Sequence, residues 1–258
     1  MLVHGLAGWG PAELNIPIVG AFRYWGQWFI QDMVNSGARN NVYKRLADAT
    51  GLPIFVATVG PFSSNHERAC ELYAQIRGLR TDYGATRALL TNTGTDGRYA
   101  PVGTSMDFSN KGAWLANWGL TGNNDQVHLI GHSMGAPTSR MLEYLMRFGK
   151  PDEAGTPGMS ELFRTDMFAT RKGAIRTITT IAGVNSGSTL HSKLASVPLG
   201  SGNLVDLVKN LLINIAGIDS AFSFDGSGLG SLYDFDLDRL GITKNAGESF
   251  NSFQSRVF

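Results

Sequence analysis

An α/β fold, with a mostly parallel sheet flanked by helices, is predicted by two patterns in this chain and one motif set into them. Short apolar runs alternate with helix-like segments, and each run ends in a loop rich in Gly, Ser or Asn. One of those loops is Gly131-His132-Ser133-Met134-Gly135. Alternation of this kind is the signature of parallel strands joined by helical crossovers. Sheets built so place their ligands in the loops beyond the strand ends.

Strands are expected at residues 1–4, 53–59, 126–131 and 175–182. Met1-Leu2-Val3-His4 reads as the end of a buried strand that begins abruptly, as in a chain truncated at its start. Helices are expected at residues 29–36, 67–78 with 82–90 beyond, 138–148 and 204–215. Residues 91–124 are glycine-rich, polar and the least patterned, which predicts a surface excursion. Residues 149–158, with two prolines and three glycines, read as a loop and not a domain linker. The run 204–215 is apolar on more than one face. It suits either a buried helix or a mobile lid over an apolar cleft, with the lid segment drawn at 192–225.

The composition bounds the function classes. With 258 residues, 43% of them hydrophobic and 17% charged, the chain can bury a substantial core as a single domain. The net charge of +1 and the lack of any Lys/Arg cluster argue against a nucleic-acid footprint. No run approaches the ~20 apolar residues of a membrane span, and no signal peptide is read. Cys70 is the only cysteine, which rules out an intrachain disulfide and cysteine metal clusters. No cofactor is expected.

Gly-x-Ser-x-Gly between an apolar run and a helix is the pattern of a turn that presents a nucleophilic serine, here Ser133. A serine hydroxyl is a weak nucleophile and needs a base, with an acid to orient the base. Acyl transfer also needs two backbone N–H donors for the developing oxyanion. One would come from Met134, the residue after the nucleophile. The other would come from a glycine-rich loop after an early strand, and His4-Gly5-Leu6-Ala7-Gly8-Trp9-Gly10 suits it, with Leu6 as donor.

That loop resembles the oxyanion loop of the bacterial secreted triacylglycerol lipases of staphylococci and thermophilic bacilli. Val59-Gly60-Pro61-Phe62-Ser63-Ser64-Asn65-His66-Glu67-Arg68-Ala69-Cys70-Glu71-Leu72-Tyr73-Ala74-Gln75-Ile76 is similar to a long and specific segment of the same enzymes. Asp82-Tyr83-Gly84-Ala85, the Ser133 turn, Tyr233-Asp234-Phe235-Asp236-Leu237-Asp238 and Gly247-Glu248-Ser249-Phe250 continue the resemblance in order. It covers nearly the whole chain apart from residues 91–124. It implies an α/β-hydrolase fold, a Ser-His-Asp triad, secretion, and hydrolysis of long-chain acylglycerols at a lipid–water interface.

Three departures qualify what the resemblance implies. The family's catalytic aspartate and histidine lie beyond its Gly-Glu-Ser-Phe segment, so the last strands, both triad partners and a late calcium site are expected to be missing from a chain that stops at Phe258. The family also binds zinc through two aspartates and two histidines. Glu67 takes the place of the first aspartate, and the histidine places fall at Arg87 and about Thr93, so no zinc site is expected. Finally, Gly183-Val184-Asn185 stands where the family shows Thr-Pro-His, which alters the loop beside the nucleophile.

The histidines divide by context. His4 and His132 flank the site as structural hydrogen-bonding groups, His128 is expected in the core, and His66 is expected to be exposed or capping. His191 is the sole histidine after Ser133 and is a poor candidate for the base, because it follows the fourth strand. Asp219, Asp225, Asp234, Asp236 and Asp238 read as solvated or structural. The chain is therefore expected to be a lipase-type serine carboxylester hydrolase. Its alternatives are a non-catalytic lipase-like protein that binds lipid or a partner, and an α/β-hydrolase for another ester or thioester.

Overall fold

The computed structural model describes residues 1–6, 8, 10, 15–16, 20–21, 25, 42–61, 63–87 and 97–187. The expected helices at 29–36 and 204–215, the lid segment 192–225, His191 and the late acidic residues lie outside them. Five strands and four α-helices are found among the described residues: β1 (Leu2–Val3), β2 (Asn15–Ile16), β3 (Gly20–Ala21), α1 (Val42–Thr50), α2 (Asn65–Arg77), β4 (Val127–His132), α3 (Gly135–Phe148), α4 (Phe168–Arg171) and β5 (Ile175–Ile181). Two 3₁₀ turns, Pro151–Glu153 and Glu161–Phe163, lie between α3 and α4.

The sheet is parallel, in the order β1-β4-β5, and β4 is its centre. β2 and β3 form a separate antiparallel pair. The run expected as a strand at 53–59 makes only one bridge, Val56 beside Leu2. Leu2 donates to the Phe55 carbonyl at 2.8 Å and accepts from the Ala57 N–H at 2.9 Å. The ladder stops there because β1 is two residues long and its chain turns away at His4.

α2 starts two residues before its expected position. Ser64 caps it, accepting from the Glu67 N–H while the Glu67 carboxylate accepts from the Ser64 N–H, a reciprocal capping box. Gly78 ends it in the left-handed conformation, where a Cβ would also press on the Ala113 backbone. α3 begins directly after the Ser133 turn, packs on α2, and lies along β4, β5 and β1. The expected helix at 82–90 is a helical turn at residues 85–87 in its described part, and Asp82 instead bridges Tyr99. α1 was not anticipated, and none of its residues is buried.

The core lies between the sheet and the α2–α3 layer, with Val3, Val59, Leu72, Ile76, Leu129 and Leu142 at its centre. Residues 97–124 run at the surface along much of their length, as expected, but are pinned there by side chains that the expectation did not foresee. Ala100, Met106, Phe108 and Trp118 are fully buried, and the Trp118 indole donates to the Ala174 carbonyl at 3.1 Å. Their irregular spacing hid them, since a chain of turns buries side chains with no fixed period.

Two buried carboxylates tie the stretch at residues 82–86 to its surroundings. Asp82 forms a two-point ion pair with Arg98, at 2.9 and 2.7 Å, and accepts from the Gly84 and Ser160 N–H groups. Glu153 accepts from the Ala85 and Thr86 N–H groups, the Thr86 hydroxyl and Lys150. Burial alone would raise its pKa, but these donors outweigh burial and bring it from 4.5 to about 2.

A carboxyl held below its unfolded value stabilises the fold above that value and loses the contribution as pH falls through the folded one. Glu153 therefore supplies about 3 kcal/mol at neutral pH that drains away from about pH 4.5 to about pH 2. Denaturant unfolding across this range should show the extra acid sensitivity in the wild type and not in Glu153→Gln. Parallel curves for the two would contradict it.

Candidate active site

The turn after β4 is built on close approach. Ser133 has φ of 50°, a left-handed conformation that non-glycine residues rarely adopt. It is held there from both sides, its N–H donating to the Ile181 carbonyl at 2.9 Å and its carbonyl accepting from Ala136 at 3.1 Å. A Cβ on Gly131 would stand 2.4 Å from the Gly135 carbonyl atoms, and one on Gly135 would stand 2.2 Å from the Val3 carbonyl oxygen. The motif's two glycines are thus required sterically. They let α3 leave the strand sharply and run against the end of β1, which leaves the Ser133 side chain partly exposed at the tip.

The early glycine-rich loop meets this turn. A Cβ on Gly5 would lie 2.8 Å from the Ser133 Cβ and 3.3 Å from its Oγ. Gly8 N–H closes a turn onto the Gly5 carbonyl at 3.2 Å, so Leu6 sits at the bend beside the serine. Met134 occupies the N-cap position of α3. The structure thus brings together the neighbourhoods of all three predicted residues, Ser133, Leu6 and Met134.

His4 anchors the loop from below. Its Nδ1 faces the Gly5 carbonyl at 3.0 Å, and its Nε2 accepts from the Val59 N–H at 3.3 Å, which fixes the neutral tautomer with the proton on Nδ1. Burial, reinforced by the Arg68 charge, pushes its pKa well below the usual histidine value. His132 packs edge-on to Trp25, with ring centroids 6.2 Å apart, and burial lowers its pKa too.

Two histidines differ from expectation. His128 lies on the exposed face of β4, bonded to Thr177 Oγ1 at 2.8 Å, because alternation along the strand gives the core to Val127 and Leu129. His66 neither caps α2 nor stands exposed. It is half-buried and stacked on Phe163, and burial, then the Lys150 charge, lowers its pKa.

The groups the sequence reading missed lie on α2. Arg68, Glu71 and Gln75 are buried, at the spacing of one helix face. Gln75 accepts from Thr58 N–H at 2.9 Å and Glu71 from Gly60 N–H at 2.6 Å, while Arg68 donates to the Gly60 carbonyl at 2.6 Å. Glu71 also accepts from the Tyr83 hydroxyl at 3.0 Å. Polar residues at helical spacing normally mark a solvated face. Only the polar backbone opposite them, at 58–60, could have signalled otherwise.

The zinc implied by the family resemblance does not fit these residues. Arg87 places its guanidinium on the Glu67 carboxylate at 2.8 Å, donates to the Gly97 carbonyl at 2.6 Å, and stacks over Tyr83 at 4.2 Å. A guanidinium offers no lone pair to a metal, and its charge repels one. After β5, Ala182 has φ of 46°, and a Cβ on Gly183 would lie 2.6 Å from the Ala136 side chain, so this altered loop closes tightly on α3.

A parallel sheet with a strained serine turn between its central strand and the following helix defines the α/β-hydrolase class. Within that class, the chain belongs to the family described as "Lipase-like, C-terminal domain", which matches residues 1–257. It is 30% identical over 226 residues to a lipase of Staphylococcus hyicus, covering 86% of this chain and 30% of that protein. It is 29% identical over 262 residues to Lipase 1 of Staphylococcus aureus, covering all of this chain and 32% of that protein.

Among solved structures, EstA from Clostridium botulinum superposes with a TM-score of 0.68 at 33% identity, over 99% of this chain and 49% of that one. Lipase 1 from Pelosinus fermentans gives 0.67 at 31%, over 99% and 56%. The chain spans about a third of the length of these curated relatives and about half of these crystallised chains.

Gly135→Ala should destabilise the protein by about 3 kcal/mol, the upper range for overpacking, because the new methyl meets fixed backbone. A change under about 1 kcal/mol in denaturant unfolding would mean that α3 shifts freely. Metal analysis of the purified protein should find no stoichiometric zinc, and one zinc per chain would require a ligand set that does not use Glu67 and Arg87.

Proposed function

We propose that the chain carries the nucleophile and oxyanion half of a lipase-type carboxylester hydrolase. The observation that carries the reading is the strained Ser133 turn packed against the Gly5–Leu6 bend. Ser133 Oγ attacks the ester carbonyl and forms an acyl-enzyme, and the Leu6 and Met134 N–H groups receive the charge on the tetrahedral oxygen. Among the described residues, no hydrogen bond to protein takes either N–H.

The base must remove the Ser133 proton, and the four described histidines are otherwise engaged. His4 uses both ring nitrogens on backbone groups, His66 stacks on Phe163, and His128 bonds Thr177 on the outer face. His132 precedes Ser133 on β4, where alternation turns its ring to Trp25. The base is therefore sought outside the described residues. The relatives named lipase support lipid esters as the substrates; acylglycerols at a lipid–water interface, and secretion, are what the family resemblance of the sequence implies.

A fluorophosphonate should label Ser133 in a longer version of the protein that carries the triad histidine and aspartate, and leave Ser133→Ala of that version unlabelled; equal labelling of both would remove Ser133 as the nucleophile. Where ester turnover is measurable, the same substitution should lower it by about four to six orders of magnitude. A set of esters from acetyl to oleoyl then separates a lipase from a short-ester hydrolase by which chain length turns over fastest.

A further inference from the structure

The two halves of the proposed oxyanion site come from distant parts of the chain, the bend at residues 5–6 and the start of α3. Their relative position must hold to a fraction of an ångström for both N–H groups to reach one oxygen. In each half, one residue offers its backbone carbonyl to a shared side-chain network. On the first half that residue is His4, whose carbonyl precedes Gly5. On the second it is Met134, whose carbonyl accepts from the Thr138 N–H at 3.1 Å and from the Thr138 hydroxyl at 2.9 Å.

One buried side chain reaches both ties. Arg68 donates through one terminal nitrogen to the His4 carbonyl and through Nε to Thr138 Oγ1 at 2.9 Å. Its remaining terminal nitrogen donates to the Gly60 carbonyl at 2.6 Å. The single Thr138 hydroxyl proton faces two acceptors, the Met134 carbonyl at 2.9 Å and Asn65 Oδ1 at 3.4 Å, and the shorter contact gives it to Met134; the oxygen's lone pair receives Arg68, so the chain of bonds runs from His4 to Met134. The guanidinium is planar and rigid, and this fork geometry is what a lysine cannot reproduce.

We infer that Arg68 is the positioning residue of the oxyanion site, setting the Leu6 N–H against the Met134 N–H through His4 on one side and Thr138 on the other. The inference rests on the reading of Ser133 and these two N–H groups as an acyl-transfer site. A residue that only stabilised the fold would change the amount of folded protein. A positioning residue changes how fast folded protein reacts.

Phosphonylation by a fluorophosphonate, run on the longer protein that carries the triad histidine and aspartate, separates these effects: the Ser133 Oγ–P bond forms as the P–F bond breaks, fluoride leaves, the serine proton passes to that histidine, and the phosphoryl oxygen loads the oxyanion site. In Arg68→Lys and in Thr138→Val, the maximal inactivation rate should fall by about tenfold to a hundredfold. The probe concentration at half-maximal rate and the final labelled fraction should stay at wild-type values. Thr138→Ser, which keeps the hydroxyl, should restore the rate. Equal rates in wild type and both slow variants, or a fall in labelled fraction alone, would overturn the proposal.

Amide hydrogen exchange on the same proteins tests the tie without chemistry. Peptides covering residues 1–8 and 131–137 should exchange faster in Arg68→Lys, while peptides within 142–148 stay unchanged. Uniform acceleration, or none, would overturn the proposal. If the longer protein carrying the triad histidine and aspartate takes up no label, the serine-hydrolase reading has failed, and the exchange pattern alone decides whether Arg68 sets the spacing of the two halves.

Discussion

A buried backbone segment without a strand partner governs the architecture around the serine. Residues 58–60 run beneath the early loop after their ladder with β1 has ended at Ala57. Their amide groups are buried, and a buried amide without a partner costs roughly as much as a typical mutation removes. α2 supplies the partners from its own side chains, using Arg68, Glu71 and Gln75 at one helical face, and His4 completes the set at Val59. This polar seam is why His4 is neutral and fixed, and why the loop that follows it can rest on Ser133 without a longer strand beneath it. A seam of this kind is intolerant of piecemeal change, since losing one partner leaves another group buried and unpaired.

Much of the α/β plan was legible in the sequence, for reasons that differ by element. β4, α3 and β5 stand close to where apolar period and helix period placed them, because each packs along its whole length against a continuous neighbour. The Ser133 turn was legible because its glycines answer to fixed atoms, the Val3 carbonyl among them. What stayed hidden depends on partners far along the chain. Trp118 is buried by contacts no local pattern encodes, and Arg68 looks like a solvated arginine until the backbone at 60 and the hydroxyl at 138 are placed against it. His128 was misassigned because an apolar neighbourhood in sequence does not say which face of a strand is covered.

The strain at Ser133 and the packing around it are two aspects of one arrangement. A left-handed serine costs of order 1–3 kcal/mol and persists only where its surroundings over-determine it. Here the surroundings are Ile181 on β5, Ala136 on α3 and Gly5 on the early loop, three separate pieces of chain. Loosening any one of them lets the turn relax, so the reactive geometry depends on the sheet, the helix and the loop all being in place together.

The Glu67–Arg87 pair has a different kind of consequence. A tie made through a bound ion draws part of its strength from the surrounding solution, because its contribution grows with the free concentration of that ion. A tie made from two side chains of the same polypeptide is unimolecular, and no second solute enters its equilibrium. Between the start of α2 and residue 87, this chain carries a cross-link in its own sequence, and the strength of that joint follows the geometry of the two side chains and not the supply of a bound ion.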